Sequence, residues 1–290
     1  MKEAVIAIIF DFDETLGSDS TTFLLEKHQI AYDAFWPQVY KMVQDGWDPP
    51  LAYMQLLLGL AKQGKIDLSQ KALQQIGKSL PLFDGIPDVF DELQAFVRSE
   101  KVLRKARVKL EYYIISGGME EVIRGSSVAK YMTGIFGGSY AYEEKKKAPY
   151  AVKTAISFTE KTRFLYGINK GIGVAELRQK PYRINDAISL EQRRIPFSQM
   201  IYIGDGPSDI PALSTITHHG GLGIGVSSPH KTFAKGYELA RGKRITVGPY
   251  TANYKSNSDM RKVLEESILR IGLEIAVNQQ KHVIGAPRVG

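Results

Sequence analysis

The feature that most constrains the fold is an uninterrupted apolar run near the start of the chain, Ala4 to Phe10, which ends at Asp11. A run of this length, rich in Ile and Val, is typical of a strand buried on both faces of a parallel sheet. Two further apolar runs, residues 112–115 and 200–203, also end in small polar or acidic residues. Because ligands bind at the carboxyl ends of the strands in an open α/β sheet, the pattern predicts an α/β protein with one shared site there.

Residues 18–80 have a different pattern, in which strand-like runs are absent and apolar residues recur at helical spacing. Helices are expected at Thr21–His28, Ala31–Gln44, Leu51–Gln63 and Leu68–Leu80. The pattern predicts an all-helical cap domain, residues 18–80, inserted into an α/β core domain made of residues 1–17 and 81–290. Because the insert follows the first strand directly, we expect it to lie over the carboxyl edge as a lid. Trp36 and Trp47 are interpreted as packing residues of the cap rather than as substrate contacts.

The remaining part of the core has three further predicted elements. Leu222–Val226 and Ile245–Val247 are expected to be strands, and Ser258 to about Gln280 is expected to be a packing helix with one apolar stripe. A polar segment from about Gly171 to Pro196 is expected to be a surface excursion. The tail after His282 is expected to fray.

The composition excludes several classes of protein. The chain has 290 residues, no cysteine and a net charge of +7, so disulfides, a thiolate nucleophile and cysteine-ligated metals are excluded. No apolar stretch reaches the roughly 18 residues of a membrane helix, and the first one lacks the cationic start of a secretory signal; we therefore expect a cytoplasmic protein with no membrane partner. The basic residues are scattered, and the densest run, Lys145–Lys147, follows two glutamates as in a solvated loop. An anionic small molecule is therefore favoured over nucleic acid as the partner.

Carboxylates are concentrated after the first and third strands. Asp11 and Asp13 stand two residues apart, so an extended backbone places both on the same side, where one acid can act as nucleophile or metal ligand and the other as proton donor. Asp205 and Asp209 add two acids after the third strand. An oxygen-rich cluster without cysteine suits a hard cation such as Mg²⁺.

These motifs together resemble the haloacid dehalogenase superfamily, in its phosphatase branch. Three segments are similar to its motifs in order and in position at strand ends: Asp11-x-Asp13-x-Thr15, Ser116-Gly117-Gly118 and Gly204-Asp205-Gly206-x-x-Asp209. Within that superfamily, the Ser-Gly-Gly form and a helical cap directly after the first motif most resemble the phosphoserine phosphatase group. The resemblance covers most of the chain and implies a Rossmann-like core with a cap, Mg²⁺ as cofactor and hydrolysis of a small phosphomonoester.

The resemblance also implies roles for the acids. Asp11 would take the phosphoryl group as an aspartyl-phosphate, and Asp13 would protonate the leaving oxygen and later activate water. Mg²⁺ would be held by the carboxylates of Asp11 and Asp205 and by the backbone carbonyl of Asp13. Thr15 and Asp209 would support the site.

On the phosphate side, the resemblance implies binding by Ser116, Gly117 and a lysine. Lys161 is the preferred lysine because it stands at the start of an expected helix, while Lys170 and Lys153 remain alternatives. The interval from the lysine to the third strand is longer than in the family pattern, which we attribute to the surface excursion.

The substrate does not carry over from the resemblance. The phosphoserine phosphatase group has a glutamate at the entry of the cap that engages the substrate amino group, and Ser20 stands at that position here, with Asp19 beside it. Asp19 has two interpretations, as a substrate contact or as the N-cap of the first cap helix. Phosphoryl transfer to another acceptor, a non-catalytic phospholigand-binding protein and a basic RNA-associated protein remain alternative functions.

Overall fold

The computed structural model describes residues 4–145, 147–229 and 239–284. Within these residues, one sheet of seven strands has the order β4-β3-β2-β1-β5-β6-β7, and each neighbouring pair is parallel except β3 with β4. The strands are β1 Ala4–Phe10, β2 Val108–Met119, β3 Met132–Tyr142, β4 Pro149–Thr154, β5 Met200–Gly204, β6 Leu222–Ser227 and β7 Val247–Thr251. The predicted α/β class with a Rossmann-like sheet is confirmed.

Helices flank this sheet and form the cap. They are α1 Ser20–Lys27, α2 Tyr32–Gln44, α3 Pro49–Lys62, α4 Gln70–Ser79, α5 Asp88–Ser99, α6 Lys101–Lys105, α7 Glu120–Gly125, α8 Glu160–Lys170, α9 Val174–Gln179, α10 Ile210–His218 and α11 Asp259–Ile284. No helix in the described part of the chain is both long enough and apolar enough to cross a bilayer.

Strand β1 is buried on both faces, as its sequence predicts. Alternate residues of β1 enter two different hydrophobic cores: Ile6 and Ile8 pack with α5 and α11 on one face, and Val5 and Ile9 pack with α8 and α10 on the other. The predicted C-terminal packing helix is confirmed, because the apolar stripe of α11 is part of the first of these cores. β1 is therefore the central strand of the fold, and its last residues are buried at the carboxyl edge of the sheet.

The cap consists of α1 to α4, in the segment where the all-helical insert is predicted. The chain leaves and re-enters the core side by side, since Gly17 bridges to Leu82 and the Ser18 N–H donates to the Pro81 carbonyl at 3.0 Å. The hydrophobic core of the cap also contains Met119 from the sheet domain. The cap thus has its own hydrophobic core, which is completed by residues of the sheet domain.

Two glycines bring the cap and the core into backbone contact where α4 crosses α7. A Cβ atom on Gly77 would lie 1.8 Å from the Val122 carbonyl oxygen, and one on Gly125 would lie 2.0 Å from the Gln74 carbonyl oxygen. Side chains at either position would separate the two helices. The contact therefore depends on glycine in both of them.

Strands β3 and β4 are absent from the sequence-based expectations. β3 contains Gly134, Gly137 and Gly138, which weaken a strand pattern but allow close packing here: a Cβ atom on Gly137 would lie 2.8 Å from the Glu120 backbone, and one on Gly138 2.8 Å from the Met54 sulfur. Such long-range packing leaves no local signal in the sequence.

Two other predictions differ in detail. The last strand was expected at Ile245–Val247 but is Val247–Thr251, because an edge strand tolerates Pro249. The segment 171–196 is a surface excursion, with Tyr182 84% exposed, although Leu177 and Ile195 anchor it in the core. Lys146 of the predicted solvated loop and residues 285–290 of the predicted frayed tail lie outside the described residues.

We expect the substitution Gly125→Ala to lower the free energy of unfolding by about 2 kcal/mol, because the new methyl group collides with the backbone of α4. Gly59→Ala is the matched control, since Gly59 lies in helix α3 with no atom within 4 Å of the added Cβ. The control should gain about 0.5–1 kcal/mol from helix propensity. Urea unfolding measures both, and equal effects would contradict the close contact of α4 and α7.

Candidate active site

The predicted site residues meet at the carboxyl edge of three adjacent strands. β1 lies between β2 and β5, with Phe10 opposite Ile114 and Ile203 in the register. The Asp11 N–H continues this pairing by donating to the Ile203 carbonyl at 2.9 Å. A cavity of about 410 Å³ opens at this edge, lined among others by Asp11, Asp13, Ser116, Gly117 and Asp205.

Asp11 is buried and held at both carboxylate oxygens. Its Oδ1 accepts the Phe12 N–H at 2.8 Å, and its Oδ2 lies 3.1 Å from the Lys161 Nζ. Burial and the charge of Asp209 raise the pKa of Asp11 to about 6, while Lys161 and the Phe12 N–H act in the lowering direction. The carboxylate is therefore ionised at neutral pH and points at a cation.

Lys161 is the lysine that the fold brings to these acids. It lies in the first turn of α8, is 1% exposed, and its Nζ is 2.7 Å from the Asp209 Oδ1. Burial lowers the pKa of Lys161, but the charges of Asp11 and Asp209 outweigh this effect and raise the pKa above its ordinary value. Lys161 is therefore a permanent buried cation.

The two alternative lysines lie elsewhere. The Lys170 Nζ donates to the Asp186 carbonyl at 2.8 Å, within the surface excursion. Lys153 lies on β4 and lines a different cavity, of about 860 Å³. The lysine that the structure pairs with Asp11 is Lys161.

Asp209 is held by more partners than the sequence indicates. The Tyr202 hydroxyl donates to the Asp209 Oδ1 at 2.7 Å, and the Gly206 N–H donates to the Oδ2 at 3.3 Å. Tyr202 is fully buried on β5, where its place in an apolar run gives no sign of a polar contact. Sequence reasoning missed this tyrosine.

Asp13 lies against the cap entry. Its Oδ1 accepts the Ser20 N–H at 2.8 Å, and its Oδ2 would be 2.5 Å from a Cβ atom on Gly118. Burial is the largest cause of a pKa raised well above the ordinary aspartate value, and the charge of Asp19 is the second. A carboxyl group with a raised pKa keeps its proton to higher pH, which suits a proton donor.

Ser116 does not cap a helix, because α7 begins only at Glu120. The strand continues through Ser116 and Gly117, and the Ser116 Oγ accepts the Gly118 N–H at 3.0 Å. The Tyr53 hydroxyl of the cap donates to the Gly117 carbonyl at 2.7 Å. This extended segment is therefore held from both sides, by its own serine and by a cap tyrosine that sequence reasoning missed.

Thr15 supports the first loop through its backbone. Its carbonyl accepts a hydrogen bond from the buried Tyr254 hydroxyl at 2.8 Å, a contact across 239 residues of sequence. Its Oγ1 is buried and has no hydrogen-bond partner among the described residues.

The acidic cluster fits a divalent metal ion. Asp11, Asp205 and Asp209 each offer one carboxylate oxygen, and these oxygens lie within 4.8 Å of one another. A donor set of carboxylate oxygens without nitrogen or sulfur matches hard cations such as Mg²⁺.

The cap supplies the outer wall of the cavity. Asp19 is the N-cap of α1, since its Oδ1 accepts the Thr22 N–H at 2.6 Å, and it also lines the cavity. Trp36 packs edge-on against Phe35 and against the core of the cap, as the sequence indicates, and it also lines the cavity. Trp47 is 41% exposed and is not a core residue.

We expect Lys161→Met to lower the free energy of unfolding in EDTA at pH 7 by about 3–5 kcal/mol, because it leaves two buried carboxylates without their cation. The difference in unfolding free energy between the variant and the wild type should become smaller as the pH falls, because protonation of the carboxylates removes their unpaired charges. Lys153→Met, at an exposed lysine, is the control and should cost less than about 1 kcal/mol. Equal losses in denaturant unfolding would show that the buried ion pair does not hold the site.

Comparison with known proteins gives both a relative and a fold. No model of a known protein family matches the chain. An uncharacterized protein of Borreliella burgdorferi is 30% identical over 239 residues, which are 75% of this chain and 80% of that protein. A crystal structure of apo phosphoserine phosphatase aligns with a TM-score of 0.51 and 15% identity, covering 90% of this chain and 98% of the other. A gene product of Archaeoglobus fulgidus aligns with a TM-score of 0.53 and 13% identity, covering 92% and 85%.

The sequence identity with the Borreliella burgdorferi protein shows that the two proteins belong to one family, and the structural alignments show the fold. The solved structures share too little sequence to show more than the fold. The chain belongs to the same protein family as the Borreliella burgdorferi protein and has the fold of the haloacid dehalogenase superfamily, in the capped form of phosphoserine phosphatase.

Proposed function

We propose that this protein is a Mg²⁺-dependent phosphatase that hydrolyses a small phosphomonoester through an aspartyl-phosphate on Asp11. The observation that carries the proposal is that Asp11 lines the cavity together with Asp13 and lies 3.1 Å from the buried Lys161 ammonium. The cavity is thus lined by a nucleophile and a proton donor, and the ammonium group of Lys161 lies directly behind the nucleophile.

In the first step, an Asp11 oxygen attacks the phosphorus and the bond from phosphorus to the ester oxygen breaks. Asp13 gives its proton to that leaving oxygen, so the alcohol departs neutral. In the second step, a water molecule attacks the phosphorus, Asp13 takes the water proton, and the acyl phosphate bond breaks to give inorganic phosphate and the Asp11 carboxylate. The raised pKa of Asp13 supports this role, because it favours the protonated form that the first step needs.

Asp11 and Asp205 would hold Mg²⁺ with their carboxylates, together with the backbone carbonyl of Asp13. When bound, Mg²⁺ offsets the repulsion between the carboxylate nucleophile and the phosphate dianion. Asp209 acts as the supporting acid, because it accepts hydrogen bonds from Lys161 and Tyr202 and so fixes the direction of the Lys161 ammonium.

Ser116 and Gly117 would bind the phosphate. The Ser116 Oγ accepts the Gly118 N–H, so its own O–H proton points away from that contact and can be donated to a phosphate oxygen. The Tyr53 hydrogen bond to the Gly117 carbonyl fixes the orientation of the adjacent peptide.

The cap supports a small substrate. In the predicted division, the cap domain of residues 18–80 covers the edge of the core domain, and α2 and α3 contribute to the cavity wall. A cavity of about 410 Å³ lined by both the cap and the core is of the size that binds a small metabolite.

We expect phosphate release from small phosphomonoesters to require Mg²⁺, to stop in EDTA, and to fall at least about a thousandfold in Asp11→Asn, because the amide is a poor nucleophile. Asp45→Asn, at an exposed acid of the cap, is the control and should keep wild-type turnover. Turnover by Asp11→Asn would exclude the covalent route. No turnover of any ester by a folded protein with bound Mg²⁺ would instead favour phosphotransfer or a phospholigand-binding role.

A second experiment tests Asp13 as the proton donor. We expect Asp13→Asn to lower kcat/KM for an alkyl phosphomonoester at least about tenfold more than for p-nitrophenyl phosphate, because nitrophenolate leaves without a proton. kcat/KM is the proper measurement because it covers the steps up to departure of the alcohol. Equal losses on the two substrates would contradict the role.

A further inference from the structure

Besides its acids, the cavity has many aromatic and apolar lining residues. The cap supplies most of them, including Trp36, Tyr40 and Tyr53, and this group is called the aromatic wall. A phosphate bound at the acids would direct the alcohol part of the ester toward this wall. The wall therefore determines which alcohol fits, an inference that rests on the proposed function.

All the charged side chains that line the cavity in the described chain are acids. The charged residues that line it are Asp11, Asp13, Glu14, Asp19 and Asp205, and no lysine, arginine or histidine of the described chain lines it. A carboxylate on the alcohol part of the ester would therefore have acids and aromatic rings as neighbours, and no cationic side chain among the described lining residues. A positively charged alcohol would be attracted by the same field.

Asp19 is the acid placed beside the aromatic wall. Its Oδ1 caps α1 through the Thr22 N–H, so the carboxylate is fixed in position. Asp13, Asp19 and Tyr53 all line the cavity.

Trp36 lies at the centre of a group of rings next to Asp19. Its ring centroid is 6.1 Å from that of Tyr32, 6.4 Å from that of Tyr40 and 6.5 Å from that of Tyr53, and each pair is tilted. An adjoining cavity of about 580 Å³ shares Asp19, Trp36 and Tyr40 and is also lined by Tyr32. Several aromatic faces next to a carboxylate are the arrangement that binds organic ammonium groups through cation–π contacts.

We propose that the substrate is a phosphomonoester of an amino alcohol that carries no carboxylate, with its ammonium group held between Asp19 and the rings of Trp36 and Tyr40. A primary amine and a quaternary ammonium share this chemistry. A neutral apolar alcohol would fit the rings but would gain nothing from Asp19.

The experiment compares kcat/KM with Mg²⁺ for choline phosphate, ethanolamine phosphate, serine phosphate and the neutral isostere of choline phosphate in which carbon replaces the nitrogen. We expect at least one of the two carboxylate-free cations to exceed both serine phosphate and the isostere at least about tenfold. p-Nitrophenyl phosphate serves as the generic ester that reports the chemistry independently of the alcohol.

The variant Asp19→Asn removes the charge and retains a side-chain oxygen that caps α1. It should lower the ratio of kcat/KM for the preferred cation to that for the isostere about tenfold; the ratio is used because any effect on Asp13 is common to both esters. Trp36→Leu should lower the same ratio. Asp33→Asn, at an exposed acid of α2 that does not line the cavity, is the control and should leave the ratio unchanged.

Two results would overturn this inference. In the first, kcat/KM for the isostere or for serine phosphate equals that for the cations; in the second, Asp19→Asn leaves the ratio unchanged. The proposed function remains intact in both cases if p-nitrophenyl phosphate is still hydrolysed with dependence on Asp11. If no ester at all is hydrolysed by folded protein with Mg²⁺, the proposed function fails and the inference fails with it.

Discussion

The site depends on one buried ammonium group, that of Lys161, which lies between Asp11 and Asp209. Taking carboxylates out of water costs several kcal/mol for each charge, and the lysine supplies the opposite charge that makes their burial tolerable. The three residues come from α8, the end of β1 and the segment after β5, so the ion pair also joins a helix to the sheet edge. The same ion pairs therefore neutralise the buried carboxylates and hold α8 at the sheet edge.

The cap is attached to the core in a way that makes it part of the cavity. Three tyrosine hydroxyls cross the boundary: Tyr53 donates to the Gly117 carbonyl, Tyr140 to the Met54 carbonyl and Tyr142 to the Leu68 carbonyl. The backbone contact between α4 and α7 adds to them. A lid movement of the whole cap would break these contacts, so the position of the cap wall above the acids is an intrinsic property of the fold.

The sequence predicts the central acids well, because an apolar run that ends in an acid is a local pattern. β1 and the carboxylates of Asp11 and Asp13 follow directly from it, and the structure places them at the sheet edge as expected. The cap helices follow from their helical spacing. Lys161, in contrast, is one of three lysines that the sequence leaves open, and only the path of α8 brings it to Asp11.

The amino-acid sequence by itself determined the α/β class, the helical cap and the acids at the strand ends, because periodicity and strand-end position are properties of neighbouring residues. The tertiary structure alone decided the hydrogen bond from Tyr202 to Asp209, the support of Thr15 by Tyr254, and the place of Trp36 in the cavity wall. Tyr202 lies within an apolar run, and Thr15 and Tyr254 are far apart in the chain. Their partners are set by packing, which a local pattern does not encode.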